Sequence, residues 1–353
     1  MRYLVTGGAG FIGGEFVRKI INETSDIVKN IDKLTYASSL DSLKTIEKSA
    51  RYSFEKIDIC DSKKIKKIFK KFRPDIVVNF AAETHVDRSI DSPLVFLQTN
   101  ILGTFNLLEQ SKNYFFSLKS NKKNFFKFIH VSTDEVYGDL KNLTDLFSEK
   151  TAYNPSSPYS ASKASSDHFV KAWGRTFDLP VMITNCSNNY GPFQFPEKLI
   201  PHIIISALSG NKLPIYGNGL QIRDWLHVED HVDGILKVIK KGKIGDTYNI
   251  GANNEKKNIQ IVRAICDILD KKIKIKPKNI QSFHELIHFV KDRPGHDRRY
   301  AINANKIKKE TGWKPKNTFY AGLKKTINWY LDNKIWWQKI LKKKYKLKRV
   351  GLL

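Results

Sequence analysis

Cysteine is scarce. The 353 residues hold three, Cys60, Cys186 and Cys266, odd in number and without the close spacing of metal-ligand pairs. That excludes a disulfide framework and a cysteine-built metal centre, and it fits reduced thiols in a cytoplasmic protein. Long apolar runs are missing as well. None approaches the roughly 18 uninterrupted residues of a membrane-crossing helix, so no membrane partner is expected. The N-terminus leaves no room for a signal peptide, because Arg2–Thr6 already reads as a strand. Internal repeats and low-complexity linkers are also lacking. Acidic side chains are the final shortage, 35 against 61 basic ones for a net charge of +26. Of the basic residues 49 are lysines and only 12 arginines. A nucleic-acid surface would favour arginine clusters interleaved with aromatics. In the densest basic run, Lys63 to Lys71, Ile65, Ile68, Phe69 and Phe72 recur at helical spacing. Its lysines are therefore the solvated face of an amphipathic helix, and no nucleic-acid partner is expected. The excess charge still favours an anionic substrate through long-range attraction.

What is present begins with a strand, Arg2–Thr6, followed by Gly7-Gly8-Ala9-Gly10-Phe11-Ile12-Gly13 and an amphipathic helix to about Asn22. Glycines spaced G-x-x-G-x-x-G give a tight turn, close approach of backbone to a pyrophosphate, and a helix N-terminus aimed at it. A second strand, Ile27–Ile31, ends at Asp32, about 20 residues on, where an acid binds the adenosine ribose and disfavours a 2′-phosphate. A third strand, Tyr52–Ile57, leads to Asp58 and Ile59 and the lysine-rich helix. A fourth, Asp75–Phe80, ends in Ala81-Ala82-Glu83-Thr84-His85, where two small residues would let a flat cofactor lie close. His85 has no neighbouring His or Cys, so it reads as structural rather than as a metal ligand. A long helix is expected from about Pro93 to Lys119. The alternation β-α-β-β-α-β-α-β predicts an α/β fold, a Rossmann-type doubly wound parallel sheet.

The chemistry concentrates in two stretches. An apolar strand, Phe125–Val131, runs into Ser132-Thr133-Asp134-Glu135-Val136-Tyr137-Gly138, placing a hydroxyl and two carboxylates at a strand end. Strict strand alternation would aim Asp134 and Glu135 at opposite faces, so a bend is required there. Tyr159-Ser160-Ala161-Ser162-Lys163 follows on a helix, with phenol and ammonium one turn apart on one face. A strand Val181–Asn185 then leads to Asn188-Asn189-Tyr190, whose amides on spacing alone read as turn chemistry. From Phe195 the alternation loosens into shorter Pro-, Gly- and aromatic-rich elements. Residues 1–190 are thus expected to form the dinucleotide-binding part, with some later segments crossing back. Residues 191–341 would form mainly a smaller C-terminal substrate-binding lobe, and 342–353 a basic tail. The turn Arg293-Pro294-Gly295-His296-Asp297-Arg298-Arg299 is either a solvated loop or an anion clamp. A helical tail is expected from Trp313 to about Leu341.

Thr6–Gly13 and the Tyr159/Lys163 pair resemble the extended short-chain dehydrogenase/reductase superfamily. Longer strings narrow the resemblance: Asp32–Ala37, Ala81–Ser89, Ser132–Asp139, Tyr159–His168, Asn185–Pro192, Phe195–Pro201 and Asp292–Tyr300. Together they are similar to the dTDP-glucose 4,6-dehydratase family over Arg2 to about Trp337. Departures are small: Gly14 and Thr84 where serine is usual, and Asn303 where aspartate is usual. The resemblance implies a lyase that uses NAD internally on dTDP-glucose, as a homodimer joined through helices near 93–119 and 158–177. It implies Thr133, Asp134, Glu135, Tyr159 and Lys163 as catalytic residues, with Lys163 favouring a Tyr159 phenolate. Gly7, Gly10, Phe11, Ile12, Gly13, Asp32, Lys33, Leu34, Thr35, Asp58, Ile59, Ala81, Ala82, Thr84, Thr99, Tyr159, Lys163 and Asn189 would contact NAD. Thr84, Thr133, Asn188, Lys198, Leu199, Pro214, Tyr216, Arg223, Asn258, Arg293 and His296 would hold the nucleotide sugar, and no metal is implied. Alternatives are a 4-epimerase or 4,6-dehydratase for another nucleotide sugar, or a non-catalytic dinucleotide- or RNA-binding module. An epimerase needs no Asp–Glu pair, and a binding module could lose Tyr159, Lys163 and both carboxylates, yet all are present.

Overall fold

The computed structural model describes residues 1–343. Seven parallel strands form the main sheet: β1 (Arg2–Thr6), β2 (Ile27–Asp32), β3 (Tyr52–Lys56), β4 (Ile76–Asn79), β5 (Lys127–Thr133), β6 (Val181–Cys186) and, from far downstream, β10 (Thr247–Ile250). Their order is β10-β6-β5-β4-β1-β2-β3. The chain leaves β1 towards β2 and β3 on one side and returns to β4, β5 and β6 on the other, so the sheet switches direction between β1 and β4. A crevice opens beyond the carboxyl ends of the strands at such a point. Two apolar layers flank the sheet. One packs Val5, Phe16, Ile20, Val78 and Ile129; the other packs Leu4, Ile31, Ile65, Phe69 and Phe128. Successive residues of one strand, Leu4 and Val5, enter opposite layers, as strand geometry demands.

The lysine-rich helix forms as the periodicity predicts. It spans Ser62–Phe72, is capped by Asp61 accepting from the Lys64 amide (3.0 Å), and buries Ile65, Ile68 and Phe69. The helix Pro158–Phe177 starts with a reciprocal cap between Ser157 and Ser160 and with Pro158 in its first turn. The helix expected over 93–119 forms as a run from Pro93 to Ser117 and is corrected only in its winding. A short helix, Val86–Asp91, precedes it, Pro93 restarts the run, and Leu97–Gly103 winds as a π-helix before Thr104–Ser117. Gly103 lets that segment pack closely against Ile59, since a Cβ there would lie 2.5 Å from Ile59 Cδ1. The tail is also corrected. Helices Phe319–Asp332 and Lys334–Lys343 replace one continuous helix, and Lys314–Thr318, with Pro315, is not helical.

The remaining strands build a second layer over the sheet's carboxyl edge. β7 (Asn188–Tyr190) pairs with β9 (Ile222–His227), which pairs antiparallel with β11 (Glu255–Lys257). β8 (Leu213–Tyr216) pairs with β12 (Ile287–Val290). Helices Leu199–Leu208, Asn258–Lys272 and Phe319–Asp332 enclose an apolar cluster around Ile204, Ile261 and Leu323. Of the basic tail expected over 342–353, residues from Lys344 onward lie outside the described residues.

Candidate active site

The cavity sits where the sheet switches direction. It holds about 330 Å³ and runs from the glycine turn to Trp225. Gly7 leaves β1 with φ +68°, and a Cβ on it would stand 2.6 Å from the Ala81 amide. A Cβ on Gly13 would lie 2.4 Å from the Gly7 carbonyl oxygen, so glycine alone lets the helix start seat against the turn. The Asp32 carboxylate is held at the end of β2 by the Ala9 amide (3.0 Å), the Leu34 amide (2.7 Å) and the Ser38 hydroxyl (3.0 Å). Lys33 pairs with Asp58 at 3.2 Å, and that pairing, with the Cys60 amide, holds the Asp58 carboxyl below its usual range against the opposing pull of burial. Thr99 on the π turn and Asn188 on β7 each direct a buried side-chain oxygen without a hydrogen-bond partner, and both residues line the cavity. A cradle that a Cβ would fill, a fixed carboxylate and orphaned oxygens fit a dinucleotide.

The carboxylate pair meets its geometric requirement by a strand that ends just before it. β5 stops at Thr133, two residues beyond the expected end, and Asp134–Tyr137 winds as a 3₁₀ turn. Thr133 Oγ1 caps it by accepting from the Glu135 amide (3.3 Å). Period-two alternation ends there, and both carboxyls reach the cavity. Their environments differ. Burial, the Glu135 charge and Asp224 push Asp134 far above the usual carboxylate range, and Asp134 Oδ2 has no partner. Burial also raises Glu135, but Arg293, Arg223 and Lys198 oppose the rise, and Glu135 keeps partial exposure onto the cavity. Asp134 is thus the better proton donor and Glu135 the better acceptor.

Tyr159 and Lys163 fall four residues apart on the helix Pro158–Phe177 and both line the cavity, where the surroundings of Tyr159 oppose the phenolate expected from Lys163. Burial and the Glu135 charge hold the Tyr159 phenol well above its ordinary range. The Lys163 ammonium donates instead to the Val131 carbonyl (2.9 Å), and burial lowers its own pKa against the pull of Asp167. Beneath it runs a buried polar chain that the sequence did not disclose. The Ala81 amide donates to Thr6 Oγ1 (3.2 Å), Thr6 donates to Asn79 Oδ1 (2.6 Å), and Asn79 Nδ2 faces His130 Nδ1 (3.2 Å). With Nδ1 accepting, the ring proton sits on Nε2, 3.4 Å from Asp167 Oδ1. Asp167 accepts at Oδ2 from Ser132 (2.8 Å) and Tyr153 (3.0 Å), and its Oδ1 has no hydrogen-bond partner. Asp167 falls four residues after Lys163 and eight after Tyr159, so helical spacing alone would have found it.

All the expected catalytic residues line the cavity, as do Gly7, Gly10, Phe11, Ile12, Gly13, Asp32, Lys33, Thr35, Asp58, Ile59, Ala81, Ala82, Thr84, Thr99 and Asn189. Leu34 does not; its backbone turns at φ +59° and only its amide serves, on Asp32. Asn188, Lys198 and Leu199 line the cavity on the sugar side, whereas Pro214, Tyr216, Arg223, Asn258, Arg293 and His296 stand off its wall. Three of these gather nonetheless. Arg293 pairs with Asp87 at 2.9 Å, Tyr216 donates to the same carboxylate (2.8 Å), and His296 packs against the Tyr216 ring. Arg223 spends its guanidinium on backbone carbonyls of Ile222, Asp297 and Arg298 and lies over the Tyr300 ring at 4.2 Å. Asn258 opens a helix, its amide on the Gln221 carbonyl, and joins neither group. Within the 293–299 turn the roles divide: Arg293 pairs with Asp87, while Arg299 is a buried partner of Glu255. His85 is structural as read, capping Val86–Asp91. Glu83, Gln194, Glu197 and Cys186 line the cavity without having been singled out.

Comparison with known proteins gives one consistent picture. The family described as GDP-mannose 4,6 dehydratase matches residues 4–326. The chain is 56% identical to a dTDP-glucose 4,6-dehydratase of Escherichia coli, with all of both chains aligned. A crystal structure of dTDP-glucose 4,6-dehydratase from Bacillus anthracis in complex with NAD is 44% identical, with a TM-score of 0.85 over 96% of this chain and 99% of that one. An NAD-bound dTDP-glucose 4,6-dehydratase from Streptomyces venezuelae is 39% identical, with a TM-score of 0.87 over 96% of this chain and all of the other.

Proposed function

The chain belongs to the dTDP-glucose 4,6-dehydratase family, and from that premise we propose how its own residues divide the reaction. The protein is an NAD-dependent hydro-lyase that converts dTDP-glucose to dTDP-4-keto-6-deoxyglucose and water. When bound, NAD would accept the hydride from C4 and return it at C6, and the positive charge of its oxidised form in the same cavity would favour ionisation of Tyr159. Asp32, the glycine turn and Thr99 hold the dinucleotide. Thr133 donates to the sugar 4-oxygen, and Tyr159 takes that hydroxyl's proton as C4 is oxidised. The 4-ketone acidifies C5. Glu135 removes the C5 proton, and Asp134, kept protonated by burial, delivers a proton to the departing 6-hydroxyl. Asn188, Lys198 and the Arg293–Tyr216–His296 group hold the nucleotide diphosphate from the other lobe.

The observation that carries this division is the Asp134–Glu135 turn facing Tyr159 across one cavity. A 4-epimerase would have no use for that pair. We further propose a cytoplasmic homodimer that serves deoxysugar and polysaccharide synthesis, such as the route to dTDP-rhamnose. Among the described residues no helix is long and apolar enough to cross a membrane. The three cysteines are free, and the helical run 93–117 exposes Leu94, Leu97, Leu102 and Phe105, the last packed against Phe169 of the helix Pro158–Phe177. The test is to mix dTDP-glucose deuterated at C4 with unlabelled-hydrogen substrate carrying carbon-13, without added NADH. Product lighter by one water, with deuterium kept in its original molecule, is expected. Extensive crossover, or intact dTDP-glucose, would sink the assignment.

A further inference from the structure

Two hydride transfers on one sugar require that the cofactor stay in place between them. The segment that crosses from the sugar lobe is fastened to the cofactor side at a carboxylate the chemistry does not use. The Glu197 side chain is only 2% exposed. Its Oε1 accepts from the Tyr36 hydroxyl at 2.9 Å and its Oε2 from Arg88 Nε at 3.1 Å. The Arg88 guanidinium lies over the Tyr36 ring at 3.8 Å, and Phe195 meets the same ring edge-on at 5.4 Å. One residue on, Lys198 Nζ donates to the Thr84 carbonyl (2.8 Å). Tyr36 stands four residues beyond Asp32, on the loop that forms one cavity wall, and Arg88 follows the Ala81–Thr84 wall. Glu197 belongs to the wall made by Gln194 to Ile200. Three walls of one cavity therefore meet at one carboxylate.

We propose that Glu197, Tyr36 and Arg88 form a clasp that retains NAD throughout the catalytic cycle, a positioning set that acts through the loops it joins. The proposal rests on reading the site as that of an NAD-dependent dehydratase. Apolar contact between the walls would let them slide. A buried carboxylate with two directional partners does not, because every other register leaves a buried charge unpaired. Burial pushes the Glu197 carboxyl up, while Lys198, Arg88 and the Tyr36 hydrogen bond hold it down. Burial and the Glu197 charge keep the Tyr36 phenol protonated, as a donor must be.

The experiment loads the purified protein with radiolabelled NAD, chases with unlabelled NAD and follows retained label by rapid filtration, with no sugar present. Glu197→Gln should release NAD about tenfold faster, the scale set by losing one charge-assisted hydrogen bond. Tyr36→Phe keeps the ring and loses one oxygen, so a smaller acceleration is expected. The double variant should be no faster than Glu197→Gln, since both act through one contact. Tyr36→Phe carries the test if Glu197→Gln does not fold. Under turnover the accelerated variants should also shed free NADH and scramble deuterium between sugar molecules. Release at the wild-type rate in the folded variants, or effects that multiply in the double variant, overturns the clasp. Because the release assay contains no sugar, it decides the clasp separately from the reaction itself.

Discussion

Two neighbouring carboxyl side chains carry opposite duties because their surroundings differ. Asp134 is pressed furthest towards the neutral acid, while three cations restrain the rise at Glu135. Replacing Glu135 by Gln keeps size and hydrogen bonding but removes the base. Oxidation at C4 should then proceed and elimination should slow by about a hundredfold or more, within the usual contribution of a general base. Rapid-mixing absorbance should show NADH forming on the variant and persisting. Near-normal turnover would mean that Glu135 has another role. The adjacency of these residues was legible in the chain, but their common aim was not. It depends on β5 ending at Thr133, whose side chain caps the turn that follows.

At the scale of elements, the glycine turn is the most tightly constrained piece. A Cβ on Gly13 would stand 2.4 Å from the Gly7 carbonyl oxygen, and the atoms around it belong to the Gly7–Gly8 backbone, which cannot swing aside. Gly13→Ala should push the helix Phe11–Glu23 off the turn at a cost of about 1–3 kcal/mol, as overpacking does. The variant should melt lower and lose bound NAD on gel filtration. Retention of both properties would show that the turn has slack. The parallel strands and their flanking helices were legible because local apolar periodicity encodes them. The π turn at Leu97–Gly103 was not, since a single π turn within a helical run leaves no distinct apolar period to read. The break at Pro315 carried a local signal, a residue without an N–H, that the long helical pattern overrode.

For the whole molecule, Leu94, Leu97, Leu102 and Phe105 are exposed beside Phe169, and Phe105 packs edge-on against Trp173 at 5.6 Å. Such a patch on one face suits a second copy of the chain. The double substitution Leu102→Asp with Phe105→Asp should convert a dimer to monomer in light scattering after gel filtration. An unchanged mass would place the contact elsewhere. The sequence by itself determined the order of strands and helices, the glycine cradle ending at Asp32, and the one-turn spacing of Tyr159 and Lys163. These follow from chain-local geometry: a period of two, a period of 3.6, and the absence of a Cβ. Only the tertiary structure decided that Arg293 meets Asp87 across 206 residues and that Glu197 meets Tyr36 across 161. It also decided that Asp134 is buried deeply enough to keep its proton. Those outcomes depend on which distant surfaces share one desolvated space, and no local period in the chain records that.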